Sequence, residues 1–241
     1  MKGVYQISGL KILIEFNYSC TEKFLSAFKI KDGDSAVDFS VFVNKNELEK
    51  ECFENNIKRI SYYEHLFILR LINKELVNNY GGFMLHSSSV LVGDKAFCFT
   101  AKSGTGKSTH AGNLKTLLKE RLKYINDDKP FIRYFEKEDK FVVYGNPWNG
   151  KHKLGENLSA ELGAIIYIER AKENIVEEIS ARKALPLLFS QIVYPETEEE
   201  VKKISILLNK LFEKTPMYLL KCNKEIDSAK LSFEKIIKNN L

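Results

Sequence analysis

The sequence predicts an α/β protein with a mixed sheet that carries a glycine-rich loop of the P-loop kind, preceded by a β-rich N-terminal part. Three observations support this prediction. Residues 1–45 show alternating apolar and polar positions, which is typical of half-buried strands. Residues 47–80 change to apolar positions at three- and four-residue spacing, which is typical of a helix. Residues 101–109 place two glycines between an apolar run and a helical pattern.

Length and composition indicate how the chain is organised. It has 241 residues, of which 44% are hydrophobic, enough for one sizeable core. We therefore expect residues 1–45 to form a β-rich extension packed on a core domain of residues 46–241. The net charge of +5 is mild, and lysines alternate with glutamates along much of the chain. This pattern indicates a solvated surface and does not favour nucleic-acid binding.

Cysteine spacing and hydropathy bear on the compartment. The four cysteines are scattered and form no C-x-x-C pair, which argues against a zinc site or a disulfide framework and favours a reducing, cytoplasmic compartment. The first ten residues lack the long apolar segment of a signal peptide. No apolar run approaches about 18 residues, so we expect neither a membrane span nor a membrane partner.

The N-terminal alternation predicts several strands. Residues 4–16 predict one or two strands, and residues 24–30 and 36–43 each predict another. None of these segments contains a ligand motif. The simpler role is a sheet layer packed against the core or over a bound nucleotide, and a protein-binding module is the alternative.

The helical pattern that starts near residue 47 is expected to end at Gly81 and Gly82. Residues 83–92 and 95–100 then predict two strands of a hairpin. His86 and three serines interrupt the first of these otherwise apolar strands. Such a conflict between pattern and residue type indicates function, so His86 is a candidate site residue. The alternative is a satisfied, half-buried histidine.

Residues 101–109 read A-K-S-G-T-G-K-S-T. In a strand–loop–helix unit of this kind, the backbone N–H groups of the loop and of the helix N-terminus converge on one concavity that attracts phosphate. The glycines permit backbone angles and a close approach that a Cβ would block. Lys107 can neutralise the β- and γ-phosphates of ATP, and the hydroxyl of Ser108 can hold Mg²⁺.

The loop departs from G-x-x-x-x-G-K-[S/T] at its first position, where Ala101 replaces glycine. Alanine suffices there if its φ is negative. The alternative is a glycine-rich turn that contains Gly-Lys-Ser by chance. Seven consecutive residues are the expected nucleotide contacts: Ser103, Gly104, Thr105, Gly106, Lys107, Ser108 and Thr109.

Residues 124–130 read Y-I-N-D-D-K-P, so an apolar strand end delivers two adjacent carboxylates, Asp127 and Asp128. Phosphoryl transfer to a hydroxyl uses one carboxylate beside Mg²⁺ and one that accepts the hydroxyl proton. Neighbouring side chains of a strand point to opposite faces, so these two do the same job only if the backbone turns there. The alternative is an Asx turn with solvated acids.

Residues 131–134 and 141–144 predict a hairpin, and its second strand leads into G-N-P-W-N-G-K at 145–151, a loop by composition. The loop holds Trp148, the single tryptophan, and Lys151. These two are candidate contacts to an acceptor or to phosphates. A tryptophan that anchors the loop onto the core is the equally weighted alternative for Trp148.

The C-terminal third predicts two strands and three helices. The strands are expected at 162–168 and 216–220, and the helices at 181–192, 197–212 and 228–237. Pro186 must lie in the first turn of its helix or kink it. Thr197 and Glu200 have the spacing of a capping box.

Three stretches together resemble one family: F-M-L-H-S-S-S-V at 83–90, A-K-S-G-T-G-K-S-T at 101–109 and N-D-D-K-P at 126–130. They are similar to the catalytic domain of HPr kinase/phosphorylase, whose nucleotide site is shared with ATP-dependent phosphoenolpyruvate carboxykinase. The resemblance implies the fold of those catalytic domains for residues 46–241. It looks closest to the short HPr-kinase-like proteins.

The resemblance also implies residue roles, with ATP and Mg²⁺ as cofactors. Lys107 would bind the β- and γ-phosphates, and Ser108 and Asp128 would hold the metal. Asp127 and Asp128 would divide metal binding and proton transfer, and which of them is the base stays open. His86 would lie near the γ-phosphate or the metal. HPr kinases form hexamers, so a homo-oligomer is implied as well.

Two departures from the family shape the functional hypothesis. The stretch at 145–151 stands where HPr kinases carry a Glu-Val-Arg-Gly-Leu-Gly type sequence, so HPr itself is not the predicted acceptor. The chain has too few residues and arginines for a carboxykinase. We therefore hypothesise a cytoplasmic Mg²⁺-ATP-dependent kinase that transfers the γ-phosphoryl to a hydroxyl, expected to be a serine, of a small protein or peptide. The alternatives are a small-molecule hydroxyl kinase and a non-catalytic ATP-binding regulatory module.

Overall fold

The computed structural model describes residues 1–30, 36–192 and 195–241. Its N-terminal part is a three-stranded sheet of β1 (Lys2–Ile7), β2 (Leu10–Glu15) and β3 (Phe39–Phe42). β1 and β2 form an antiparallel hairpin closed by Ser8 and Gly9, which both have positive φ, and β3 lies parallel to β2. The prediction for residues 4–16 is confirmed as two strands, and the prediction for residues 36–43 as one shorter strand.

The strand predicted for residues 24–30 is wrong. This segment ends α1 (Ser19–Leu25) and continues as a 3₁₀ turn, Ser26–Phe28. Leu25 and Phe28 are both buried, and their three-residue spacing puts them on the same side of a helical turn. An isolated bridge between Tyr5 and Lys29 is what remains of strand pairing there.

The long helical pattern is two helices, α2 (Lys45–Glu54) and α3 (Ile60–Asn79). Oδ1 of Asn44 caps α2 by accepting from the N–H of Asn46 at 3.0 Å. α3 ends just before Gly81, whose φ of +60° a residue with a Cβ seldom adopts, as the glycine pair predicted. No helix among the described residues combines the length and apolar character that crossing a membrane requires.

A nine-stranded mixed sheet forms the centre of the protein. Its strands are β4 (Gly82–Met84), β5 (Ser87–Val92), β6 (Lys95–Thr100), β7 (Leu122–Asn126), β8 (Phe131–Phe135), β9 (Lys140–Tyr144), β10 (Ser159–Arg170), β11 (Ile175–Glu178) and β12 (Met217–Cys222). The main order is β4-β8-β9-β10-β6-β5-β7, with β12 beside the second half of β10 and β11 beyond it. β6 and β12 lie parallel to β10, and the other neighbours pair antiparallel. The mixed sheet of the predicted fold class is therefore observed.

The strand predicted for residues 83–92 is two strands that pair differently. β4 pairs with β8, whereas β5 lies between β6 and β7. Leu85 and His86 stand at the break between β4 and β5. The β5–β6 and β8–β9 hairpins are confirmed. The polar interruption at His86 therefore marks a place where the chain passes from one part of the sheet to another.

Helices cover both faces of this sheet. They are α4 (Lys107–Leu118), α5 (Ala181–Phe189), α6 (Glu198–Lys214) and α7 (Ile226–Ser232), the last continued by a π-helical turn, Phe233–Ile237. Along β10, Ile165 and Tyr167 pack in the core that includes α5 and α6. Ile166 and Ile168 pack in the core that includes α4 and α7. The strand is thus buried on both faces.

Local details of the C-terminal helices differ from the expectations. Pro186 stands inside α5, beyond its first turn. The hydroxyl of Thr197 caps α6 by accepting from the N–H of Glu200 at 3.2 Å. The Glu200 carboxylate accepts instead from the N–H of Glu196, one residue before the position a capping box uses. β11 was not predicted, because its I-V-E-E sequence is mostly exposed.

The N-terminal sheet shares a core with residues beyond 45. Tyr5 and Ile12 from this sheet cluster with Leu48 of α2, with Ile72 of α3 and with Trp148. The hydrophobic contacts are therefore continuous across residue 45, and the domain boundary predicted there stays a prediction.

Candidate functional site

The glycine-rich loop joins β6 to α4, as the strand–loop–helix pattern predicted. Gly104 and Gly106 have φ values of +75° and +125°, and each faces open space where a Cβ would lie. Both angles are strained for other residues, so the glycines set the shape of the loop. Ala101 is buried and does not have a positive φ, which meets the condition for alanine at this position.

The N-terminus of α4 has no cap of its own. Its N-cap is Gly106, which has no side chain to accept a hydrogen bond, and its first turn contains no acidic residue. In contrast, Asn44 caps α2 and Thr197 caps α6. The N–H groups and the positive end of the α4 dipole are thus left for an external anion, the arrangement that phosphate-binding helices use.

The ammonium group of Lys107 lies inside this loop. The residue is 8% exposed, and Nζ donates to the carbonyl of Ala101 at 3.0 Å. Burial lowers the pKa of Lys107, and the nearby negative charge of Asp128 offsets part of that effect. An anionic ligand at the loop would supply further partners for this buried charge.

Arg170, at the end of β10, bonds the backbone of the glycine-rich loop. Its Nε donates to the carbonyl of Thr105 at 3.0 Å, and a terminal nitrogen donates to the carbonyl of Gly104. Sequence reasoning missed this residue, since nothing local distinguishes an arginine at a strand end. The parallel pairing of β10 with β6 brings it to the loop.

His86 and Asp128 lie next to each other, where β5 begins and the neighbouring β7 ends. The Nε2 atom of His86 lies 3.2 Å from Oδ1 of Asp128, and Nζ of Lys129 bonds the other carboxylate oxygen. Burial alone would raise the pKa of Asp128. The hydrogen bonds from His86 and Lys129 outweigh burial and hold the pKa of Asp128 below its usual value. Asp128 is thus kept in its charged form.

Asn126 shapes the turn that carries the two aspartates. Its Oδ1 accepts from the N–H of Asp128 at 2.8 Å and from the N–H of Lys129 at 2.7 Å. Its Nδ2 donates to Oδ1 of Asn146 at 3.0 Å, which joins the turn to the following loop. The motif N-D-D-K-P contained this residue, but sequence reasoning gave it no role. An asparagine before a turn was the available signal.

The carboxylates of Asp127 and Asp128 bond different partners. Asp127 is 5% exposed, and its Oδ1 accepts from the N–H of Gly150 at 2.7 Å. A Cβ on Gly150 would lie 3.2 Å from Oδ2 of Asp127, so the loop approaches the carboxylate closely. Asp128 instead bonds His86 and Lys129, and its charge also acts on Lys107. The backbone turn that the sequence analysis required for a shared site is present, with different surroundings for each acid.

Trp148 is buried, and its Nε1 donates to the carbonyl of His65 at 2.6 Å. Its ring lies edge-on to Phe24 and Phe131. Of the two roles left open for Trp148, anchoring the loop on the core accounts for this placement. Lys151 is exposed and directly follows Gly150, the residue whose N–H bonds Asp127.

Two cavities flank the glycine-rich loop. One of about 490 Å³ lies between α4 and α7 and is lined by Thr105, Gly106, Thr109 and Asn113, among others. A second of about 410 Å³ is lined by Ser103, Gly104, Thr105 and Arg170, among others. Ser108 is exposed in the first turn of α4. The residues predicted to contact a nucleotide therefore form one loop and the first turn of α4, and a cavity lies on each side of that loop.

The candidate metal ligands are Ser108 and Asp128. The described part of the chain contains no group of three or more His, Cys, Asp or Glu side chains placed to hold an ion. Mg²⁺ in phosphate-transfer sites takes one or two protein ligands and completes its shell with phosphate oxygens and water. A charged Asp128 and the exposed hydroxyl of Ser108 are compatible with that mode.

Comparisons with known proteins identify no family. No family model matches the chain, and no curated protein matches it. Among solved structures, the Hpr(Ser) kinase/phosphatase from Coxiella burnetii aligns over 65% of this chain and 88% of its own, with a TM-score of 0.38 and 8% identity. A similarity of that size carries no argument about activity. The resemblance of the three sequence motifs to HPr kinases stays a resemblance.

Proposed function

We propose that the protein is a Mg²⁺-ATP-dependent phosphotransferase that acts on a hydroxyl group. One observation carries the proposal: the uncapped N-terminus of α4 begins with the buried ammonium of Lys107, whose charge interacts with the carboxylate of Asp128. Phosphoryl transfer needs little beyond such positioning and charge neutralisation.

The loop supplies the phosphate contacts. The N–H groups of residues 103–109 and the ammonium of Lys107 bind the β- and γ-phosphates. The cavity between α4 and α7 adjoins Thr105 and Gly106 and takes the nucleoside end. Arg170 bonds two loop carbonyls, which turns the loop amides away from it and keeps the concavity preformed.

Ser108 and Asp128 would hold the metal, which supplies charge neutralisation on the phosphate oxygens when bound. The partners of Asp128 support this assignment, because a carboxylate kept charged by His86 and Lys129 is a better ligand than a base. Asp127 bonds the N–H of Gly150 and no cation among the described residues, and we assign it as acceptor of the hydroxyl proton.

The acceptor is proposed to be a serine hydroxyl of a small protein or peptide. Lys151 is exposed and follows Gly150, whose N–H bonds Asp127, so an acceptor bound at Lys151 would lie near that carboxylate. The small-molecule kinase and the non-catalytic ATP-binding module remain the competing functions, and each predicts a different result below.

The test follows labelled γ-phosphate from ATP with Mg²⁺, with and without lysate from the source cell. We expect a labelled protein or peptide band that disappears with Lys107→Met, which keeps the apolar stem and removes the charge. Asp127→Asn should lose transfer but retain ATP binding with the Mg²⁺ dependence of the parent. Asp128→Asn should raise the Mg²⁺ concentration needed for ATP binding.

Each competing function has its own outcome. Label found only in small molecules would favour the small-molecule kinase. ATP binding without any transfer would favour the regulatory module. Lys107→Met that binds ATP as well as the parent would contradict the site itself. Lys123→Met is the matched control, since Lys123 is exposed and lies on β7, away from the loop.

A further inference from the structure

Lys151, His152 and Lys153 form an exposed turn, called here the basic turn. The N–H of Gly150 donates to Oδ1 of Asp127 at 2.7 Å, and the N–H of Lys153 donates back to the carbonyl of Gly150 at 3.1 Å. A hydrogen-bonded turn of this kind keeps its ends within about 7 Å of each other. The turn that carries both lysines therefore begins at the residue that bonds the carboxylate assigned as proton acceptor.

The basic turn projects from a closed stem. Oδ1 of Asn149 accepts from the N–H of Gly155 at 3.1 Å, which joins the two sides of the loop below the turn. Trp148 anchors the first side in the core through its bond to the carbonyl of His65. The lysines are thus presented at a position that the core fixes, so little ordering of the loop is needed when a partner binds.

The charges of the basic turn are available. Neither Lys151 nor Lys153 has an ion pair with another described residue, whereas Lys129 is bonded to Asp128. The acid nearest along the chain is Glu156, which is also exposed and leaves the stretch with a net positive charge. Exposed lysines of this kind attract carboxylates modestly, and they contribute more to partner selection and association rate than to tight binding.

We infer that the acceptor segment is acidic and that its carboxylates dock on the basic turn while its hydroxyl enters beside Asp127. This inference rests on the proposed phosphotransferase function and names the class of its acceptor. A nucleic acid would also be attracted to lysines, but single strands bind through aromatic stacking platforms as well. Trp148, the large aromatic ring of this loop, is buried, and the exposed imidazole of His152 alone is no stacking platform, so the observations favour an acidic polypeptide.

The test measures binding, so that its result does not depend on turnover. Three fluorescent peptides carry one serine flanked on each side by three glutamates, three glutamines or three lysines. Their affinities are measured by anisotropy with the full chain, Mg²⁺ and a non-hydrolysable ATP analogue. We expect the glutamate peptide to bind about tenfold more tightly than the glutamine peptide at low salt, and the difference to shrink at high salt.

Charge reversal tests the location. Lys151→Glu with Lys153→Glu should remove the preference for the glutamate peptide and favour the lysine peptide. Lys123→Glu with Lys202→Glu is the control, because it makes the same change of net charge at two exposed lysines elsewhere. The control should keep the preference of the parent.

Several outcomes would overturn the inference: equal binding of the three peptides, the same loss of preference in the control, or tighter binding of a single-stranded oligonucleotide that depends on the same lysines. A lower affinity for ATP with unchanged peptide binding would show that the lysines serve phosphate instead. Failure of the proposed function is seen separately, as failure of ATP to bind or of label to transfer.

Discussion

The Nε2 atom of His86 lies 3.2 Å from Oδ1 of Asp128, although the two residues are 42 positions apart in the sequence. The backbone makes the same connection, because the N–H of Ser87 donates to the carbonyl of Asp128 at 3.0 Å. Two independent bonds thus align the break between β4 and β5 with the turn after β7. The imidazole is fixed where it can tune the carboxylate.

Replacing His86 with leucine, which cannot donate a hydrogen bond, should shift the pH dependence of phosphoryl transfer. The hydrogen bond from His86 lowers the pKa of Asp128, so its loss raises that pKa. Activity that requires the charged carboxylate is present above the pKa, and its acid limb should therefore move to higher pH. The rate is measured from pH 3 to 8, a range that extends below the usual pKa of an aspartate. Asp128→Asn with His86→Leu is the control and should not show this limb, and an unshifted limb in His86→Leu would contradict the coupling.

Asn126→Ala should cost both stability and turnover. The substitution leaves the N–H groups of Asp128 and Lys129 without their acceptor, and an unsatisfied buried donor costs about 1–3 kcal/mol. The turn would also lose the geometry that separates the two carboxylates. Urea unfolding and ATP turnover measure the two effects. Asn55→Ala is the control, since the Asn55 amide makes one exposed bond at the end of α2. Equal stability of the two variants would refute the role of the turn.

Local patterns predicted much of the fold, because alternation and helical spacing reflect which faces are buried. The β1–β2 and β8–β9 hairpins, α3 and the loop between β6 and α4 all have such patterns. The prediction of a strand at 24–30 is wrong because the apolar residues there have a three-residue spacing, which is typical of a helical turn. The prediction of one strand over residues 83–92 is wrong because the chain changes strand partners at His86. No local sequence pattern contains that change.

The sequence predicted a site residue only where the residue type itself indicates the chemistry, as a charged side chain does beside a phosphate-binding loop. Lys107 was predictable as a charged residue in a glycine-rich loop, and Asp127 and Asp128 were predictable as charged residues at a strand end. Arg170 did not, since its contact with Thr105 spans 65 positions and depends on the pairing of β10 with β6. Asn126 was overlooked because its role is to hold backbone N–H groups rather than to touch a ligand.

Arg170→Gln should weaken ATP binding with little change in stability. The guanidinium bonds the carbonyls of Gly104 and Thr105, so its loss frees a loop whose glycines have many alternative conformations. We expect the Kd for ATP to rise about tenfold, roughly 1.4 kcal/mol. Titration calorimetry measures the Kd. Arg182→Gln, at an exposed arginine of α5, should bind ATP like the parent, and an unchanged Kd in Arg170→Gln would show that the loop needs no clamp.

His110 should make stability depend on pH. It is buried on α4, its Nε2 lies 2.9 Å from Oγ of Ser232 at the end of α7, and burial lowers its pKa from 6.5 to about 4. The unfolded chain therefore binds a proton between those values that the folded chain does not. The free energy of unfolding should rise with pH from about 4 to 6.5, by on the order of 3 kcal/mol from this residue.

Urea unfolding across that pH range measures this dependence, and His110→Gln should flatten most of it, since glutamine can still bond a hydroxyl but does not titrate. A smaller slope should remain from His65, whose pKa burial also lowers. The exposed His152 supplies the control, and His152→Gln should keep the slope of the parent. If both variants keep that slope, His110 is not held neutral in the fold, and the contact between α4 and α7 tolerates a charge next to the cavity between these helices.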